Sequence, residues 1–324
     1  MDRWRSILGW HCSETHLGSD QSLIFRFLNL TESQKACGNA TLTAVRTQVS
    51  IELFPPKDEV GEERLWSALG QLSEINPDFA SVTYGAGGST RDRTARITSE
   101  ITQRTGIPTI AHLTCVGASR TELVSVLTQY KGAGINKVLA LRGDPPTGPR
   151  GEWVHTADGL DRADQLVALA AESGFDVGVA VFPDGHPASK NLADDLLTLR
   201  RKVEAGASFA ISQFFFDASS WERLMAEVSR ANLNISLIPG IMPVTNVKQL
   251  IRFAELSGTE IPHSIRSKFE KIADDPSAVA RMGVEVATTL CEERLAMGVD
   301  ALHFFTLNSS PATREIVTNL GLRA

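Results

Sequence analysis

The sequence predicts a closed (β/α)8 barrel, and three observations carry the prediction. Short apolar runs alternate with amphipathic stretches from Val49 to the C-terminus, and eight such runs can be counted. The runs are apolar nearly throughout, as strands covered by helices on both faces are. The eight units occupy about 275 residues, an ordinary size for one α/β barrel. An open, doubly wound sheet is the alternative architecture for the same alternation.

The strand candidates are Val49–Phe54, Phe79–Tyr84, Thr109–Thr114, Lys137–Leu141, Asp176–Phe182, Phe209–Phe215, Ile235–Ile241 and Ala301–Thr306. Helices are expected between them. Glu62–Glu74 places Leu65, Leu69 and Leu72 on one face, and Arg91–Arg104, Arg120–Lys131 and Asp161–Ser173 follow. Ser189–Ala205 carries Leu192, Leu196, Leu199 and Val203 at helical spacing. Trp221–Arg230 and Val247–Leu256 come next. The seventh unit gains an insertion around Ile261–Asp275 before a long helix near Ser277–Met297, and a last helix lies near Ala312–Leu320. Residues 1–45 lack this periodicity and read as a poorly ordered N-terminal extension. Residues 46–324 form the barrel, with no regulatory domain expected after it.

Composition narrows the function. A hydrophobic share of 42% is enough for a large core, and the net charge of -6 comes from mixed charges with no basic face for nucleic acid. No signal-peptide core and no run of 18 apolar residues occurs, so a cytoplasmic, membrane-free protein is expected. Cys12, Cys37, Cys115 and Cys291 have neither zinc-like nor disulfide-framework spacing, and the histidines have no metal-ligand spacing. No metal is assigned.

Barrel active sites lie at the C-terminal strand ends. Polar candidates at that mouth are Glu52, Thr83, His112, Thr114, Arg142-Gly143-Asp144, His186, Gln213, Thr306 and Asn308. Glu52 sits between Ile51 and Leu53. A carboxyl in such surroundings keeps its proton nearer neutrality, which suits a general acid; the other reading is a barrel carboxylate paired with an arginine such as Arg142. Asp144 can accept from the amino and ring N–H groups of a heterocycle, or simply cap a turn. The loop Gly85-Ala86-Gly87-Gly88 is a ligand wall or a plain flexible connection. Asp195, Thr198 and Lys202, with Arg201 adjacent, share one helix face, which suits a ribosyl diphosphate or is merely a solvated, ion-paired face.

These residues resemble a known family. Ile51-Glu52-Leu53-Phe54-Pro55-Pro56, Val82-Thr83-Tyr84-Gly85-Ala86, Ala111-His112-Leu113-Thr114-Cys115 and Ala140-Leu141-Arg142-Gly143-Asp144 are similar to signature segments of methylenetetrahydrofolate reductases. So are Pro183-Asp184-Gly185-His186-Pro187, Ile211-Ser212-Gln213-Phe214-Phe215-Phe216-Asp217, Pro239-Gly240-Ile241-Met242-Pro243-Val244 and Phe305-Thr306-Leu307-Asn308. They occur in the family's order.

The resemblance implies the (β/α)8 barrel. It also implies reduction of 5,10-methylenetetrahydrofolate to 5-methyltetrahydrofolate, a methyl source for methionine synthesis, using NADH or NADPH through bound FAD. Glu52 and Asp144 would be catalytic. Glu52, Asp144, Gln213 and Phe253 would contact the folate. Thr83, His112, Arg142, Gly143, Asp144, Ala163, His186, Asp195, Thr198, Arg201 and Lys202 would line the flavin. One site serving both substrates implies ping-pong kinetics.

This chain departs from the pattern at Arg162 (a tyrosine in the family), Thr198 (an asparagine), Ser309 (an arginine) and Phe182 (commonly a tyrosine). The departures cluster around cofactor and substrate. A flavin-independent NADH–folate reductase of the same fold, or a non-catalytic folate-binding barrel, are the alternatives. The number of subunits is left open, a homo-oligomer included.

Overall fold

A computed structural model describes residues 46–84, 91–145 and 147–323. The expected N-terminal extension and the loop from Gly85 to Thr90 lie outside the described residues. The strands are β1 (Gln48–Leu53), β2 (Phe79–Val82), β3 (Thr109–Thr114), β4 (Lys137–Leu141), β5 (Asp176–Val181), β6 (Ala207–Phe214), β7 (Ser236–Ile241) and β8 (Ala301–Phe305). Each pairs in parallel with its sequence neighbour, and β8 pairs back onto β1, so the sheet closes into a barrel. The predicted architecture is therefore the observed one, and the open sheet is excluded.

The described helices are α1 (Glu59–Ser73), α2 (Arg91–Thr105), α3 (Arg120–Gly132), α4 (Ala163–Glu172), α5 (Leu192–Glu204), α6 (Ala218–Arg230), α7 (Val247–Ser257), α8 (His263–Glu270), α9 (Pro276–Ala296) and α10 (Pro311–Asn319). Expected and observed ends differ by a few residues, and side-chain caps explain the shifted starts of α1, α5 and α6. Asn191 accepts the Asp194 N–H, so α5 starts at Leu192 rather than Ser189. Asp217 accepts from Ser219 and starts α6 before Trp221. The insertion expected around Ile261–Asp275 holds α8, which precedes the long helix α9.

Alternate strand residues face opposite ways. Val49, Ile51 and Leu53 pack outward with Leu65, Leu69, Leu72, Ile97 and Phe304. The lumen is filled by Ile110, Leu139, Ile211, Ile238 and Ala301, flanked by Phe79, Leu141 and Phe209. A third cluster, including Phe214, Phe216, Met242 and Leu250 with half-buried Phe253, holds α7 at the β6–β7 rim.

The base of the barrel is fastened by one carboxylate. Asp78, just before β2, accepts the Val49 N–H at 2.7 Å and Arg323 Nη2 at 2.7 Å, and it pairs with Arg46. Replacing it leaves the Val49 N–H unpaired and frees the C-terminal arginine. Asp78→Ala should therefore cost about 1–3 kcal/mol, which is roughly 2–4 °C of Tm per kcal/mol for a domain of this size. A thermal melt with an unchanged midpoint would show that the clasp contributes nothing.

Candidate active site

Two structures meet at the C-terminal mouth, a buried polar arc and an open cleft. The arc is built from β1, β2, β3 and β8. Register places Glu52 beside Ser81 on one side and Phe305 on the other. Glu52 is only 6% exposed. Its Oε2 lies 3.6 Å from His112 Nε2 and 3.7 Å from His303 Nε2. Its flanking partners are thus two imidazoles, not Arg142, whose guanidinium instead stands 5.0 Å over the Trp153 ring.

The hydrogen-bond network assigns the His303 tautomer. Ser50 Oγ donates to the Leu302 carbonyl at 3.1 Å, so it accepts from His303 Nδ1 at 2.8 Å. The proton on Nδ1 leaves Nε2 of neutral His303 as an acceptor, facing Glu52 and, at 3.4 Å, Ser81 Oγ. Above this arc, Thr306 Oγ1 donates to the Glu52 carbonyl at 2.6 Å, and Asn308 makes two 2.8 Å bonds to the Phe54 backbone. Thr306 and Asn308, expected as mouth groups, thus hold the acid-bearing strand end. Although Glu52 has two histidines beside it, no group of three His, Cys, Asp or Glu side chains among the described residues is placed to hold a metal ion.

His112 is buried, and its Nε2 has no hydrogen-bond partner. Loss of solvation pushes the imidazole below its ordinary value; Glu52 opposes this shift, and His303 adds to it.

The cleft lies over β4, β5 and β6 and measures about 460 Å³. It gathers ten of the sequence-predicted residues: Arg142, Gly143, Asp144, Ala163, His186, Asp195, Thr198, Arg201, Lys202 and Gln213. Glu52, Thr83, His112 and Phe253 do not line it. Glu52 and His112 stand in the lumen, Thr83 follows β2, and Phe253 packs in the rim cluster. Gly143 allows the turn out of β4: its φ is +81°, and a Cβ there would meet Val116 Cγ1 at 2.5 Å.

Lys202 stands out in the cleft. It is 9% exposed, its Nζ donates to the Ala180 carbonyl at 2.9 Å, and burial pulls its pKa down to about 8. Asp195 does not reach it with a hydrogen bond, because its carboxylate accepts the His186 N–H at 3.1 Å and the Ser189 hydroxyl. A buried ammonium with one carbonyl partner leaves room for an anion. His186 is held below its ordinary value by desolvation, then by Arg142. Arg162 is neutralised by Asp164 at 3.0 Å, and the Thr198 hydroxyl is spent on the Asp194 carbonyl at 2.9 Å.

Sequence reasoning gave no role to Ser50, Ser81 or His303. The signal was present as the alternation Ser50-Glu52 on β1 and Ala301-His303-Phe305 on β8, which puts all of them on the inward face. It also missed Trp153, whose Nε1 donates to Asp161 at 2.8 Å.

A closed (β/α)8 barrel with a buried carboxyl and a cation-lined cleft at its mouth has the layout of a barrel enzyme. The family model for methylenetetrahydrofolate reductase matches residues 39–321. The 5,10-methylenetetrahydrofolate reductase of Salmonella typhimurium is 38% identical over 294 residues, covering 90% of this chain and 97% of that one. The Arabidopsis thaliana protein named methylenetetrahydrofolate reductase (NADH) 1 is 35% identical, covering 86% of this chain and 49% of that one. A Clostridium thermocellum protein described as binding two copies of 5-methyl-5,6,7,8-tetrahydrofolic acid shares the fold, with a TM-score of 0.57 at 16% identity, covering 85% and 93% of the two chains. The chain belongs to the methylenetetrahydrofolate reductase family.

The His112 shift makes stability depend on pH. Its folded pKa lies below the ordinary value of 6.5, so on acidification the unfolded chain takes up the proton first. Stability from this group is complete above pH 6.5 and is lost below it, by at most about 1.4 kcal/mol per pH unit. Tm should fall between pH 7 and pH 5, and His112→Gln should flatten the fall. An unchanged slope in the variant would assign the acid sensitivity to other groups.

Proposed function

We propose that this chain reduces 5,10-methylenetetrahydrofolate to 5-methyltetrahydrofolate with NADH or NADPH as reductant, residues 46–324 forming the catalytic barrel. The reaction adds one hydride and one proton. The observation that carries the reading is the Glu52 carboxyl, buried between two imidazoles at the barrel mouth. A barrel that only bound folate would have no use for it. Glu52 gives its proton to N10 of the imidazolidine ring, the bridging C–N bond breaks, and a 5-iminium group remains on the folate. Hydride delivered to that carbon completes the methyl group. Asp144 and Gln213 bind the pterin, and Phe253 borders it. His303, fixed by Ser50, and Ser81 position the Glu52 carboxyl.

The cleft chemistry supports FAD as hydride carrier. Arg142, Arg201 and Lys202 provide cationic groups for a diphosphate, and Lys202 lacks a carboxylate hydrogen bond. Thr83, His112, Gly143, Ala163, His186, Asp195 and Thr198 complete the proposed set. When bound, FAD would pass a hydride from the nicotinamide to the folate. Its affinity is lower than the family norm, because Arg162 offers no aromatic face and the Thr198 hydroxyl is already engaged.

Glu52→Gln should lower folate turnover about 10²–10⁴-fold while NAD(P)H still binds. Turnover within threefold of the parent would remove Glu52 from the acid role. The two cofactor substitutions should cost about 1 kcal/mol each, weakening FAD roughly 10–30-fold. Purified protein should be substoichiometric in flavin and regain it on incubation, as flavin fluorescence or the melting temperature would report. Full occupancy surviving dialysis would mean that the substitutions are compensated. NADH-driven folate reduction without any FAD binding would instead make hydride transfer direct.

A further inference from the structure

Arg142 follows β4 directly into the cleft and has no carboxylate partner among the described residues. Its Nε reaches the neighbouring Gly143 carbonyl at 3.4 Å, a long bond. What it meets squarely is an aromatic face. The guanidinium carbon stands 5.0 Å from the centre of the Trp153 ring, within reach of a cation–π attraction. Arg142 also adds to the desolvation that lowers the pKa of His186 and of Lys202, so its charge is felt across the cleft.

Trp153 is itself fixed. Its Nε1 donates to Asp161 at 2.8 Å, and the same carboxylate accepts from His155 Nδ1 at 2.8 Å. Asp161 lines the cleft, yet it is engaged within its own loop and forms no ion pair with Arg142. The β4–α4 connection that carries these residues is stitched to the turn before α3. Gly159 bridges to Ser119, the N-cap of α3, and the Arg120 N–H donates to the Asp158 carbonyl at 2.8 Å. A Cβ on Gly159 would stand 2.8 Å from the Ala118 carbonyl oxygen, so the close approach calls for glycine. Leu160 is buried in the core cluster that includes Leu123 and Leu166.

We propose that Trp153 is a positioning residue, holding the Arg142 guanidinium toward the cleft for the diphosphate of the cofactor. The inference rests on the flavin reading above. A carboxylate in place of the indole would also fix the arginine, but it would neutralise the charge that the ligand needs. An aromatic face attracts a cation and brings no counter-charge, so Arg142 is oriented and still available. Arg162 shows the contrast, tied to Asp164 at 3.0 Å.

FAD is titrated against the full chain by flavin fluorescence, for the parent, W153F, W153L, R142Q and R142Q/W153L. W153L should weaken FAD about 3–10-fold, the loss of one cation–π contact. W153F, which keeps a ring but no N–H, should stay within about twofold of the parent. In the R142Q background W153L should change the affinity by less than about twofold, because a residue acting through Arg142 has nothing left to act on. An equal loss in both backgrounds would overturn the proposal, since a merely loosened loop gives that result. So would parental affinity in W153L, or a W153F as weak as W153L. A parent that binds no FAD would overturn the flavin reading itself, and the positioning role with it.

Discussion

The pairing of β1 with β8 is the constraint on which the rest depends. It joins residues about 250 positions apart and sets Ser50 opposite His303 and Glu52 opposite Phe305. The Leu302 carbonyl directs the Ser50 hydroxyl, Ser50 fixes the His303 tautomer, and the His303 acceptor nitrogen then faces Glu52. Thr306 and Asn308 tie the end of β1 to the same seam. The surroundings of Glu52 are therefore complete only once the first and last strands have met. Contacts across so long a separation form only with closure of the chain's ends, so the site is complete only in the closed barrel.

The cleft obeys a different logic, in which charge dominates packing. Lys202 is drawn under the surface with only the Ala180 carbonyl to receive it, while Asp195 spends its oxygens on the β5–α5 loop. Asp195 thus shapes the loop carrying His186 and leaves the ammonium available. A buried cation in this condition is costly until an anion arrives, and an anion that binds only the folded state stabilises that state by mass action.

The fold was legible because it repeats. Eight apolar runs and their helices reinforce one another, and errors at single ends, such as Ser189 for Leu192, came from caps that act one residue at a time. The cleft residues were legible because Arg142, His186, Asp195 and Lys202 each stand just past a strand or on the helix that follows it. The partners of Glu52 were not, because Arg142 and His303 are both remote from it in sequence, and only the packing of the closed barrel selects the imidazoles. Thr306 and Asn308 looked like mouth groups for the same reason: sequence places a polar side chain near a strand end but not the atom it bonds.

This division also explains where the chain tolerates change. Ser50, Glu52, Ser81, His112 and His303 are buried on strands, where each neighbour is fixed by the ladder and any substitution disturbs several others. Arg162 and Thr198 lie on a loop-to-helix junction and a helix face, and each has found a local partner in Asp164 or the Asp194 carbonyl without disturbing the barrel. Substitution at Arg162 or Thr198 therefore leaves the buried surroundings of Glu52 as they are.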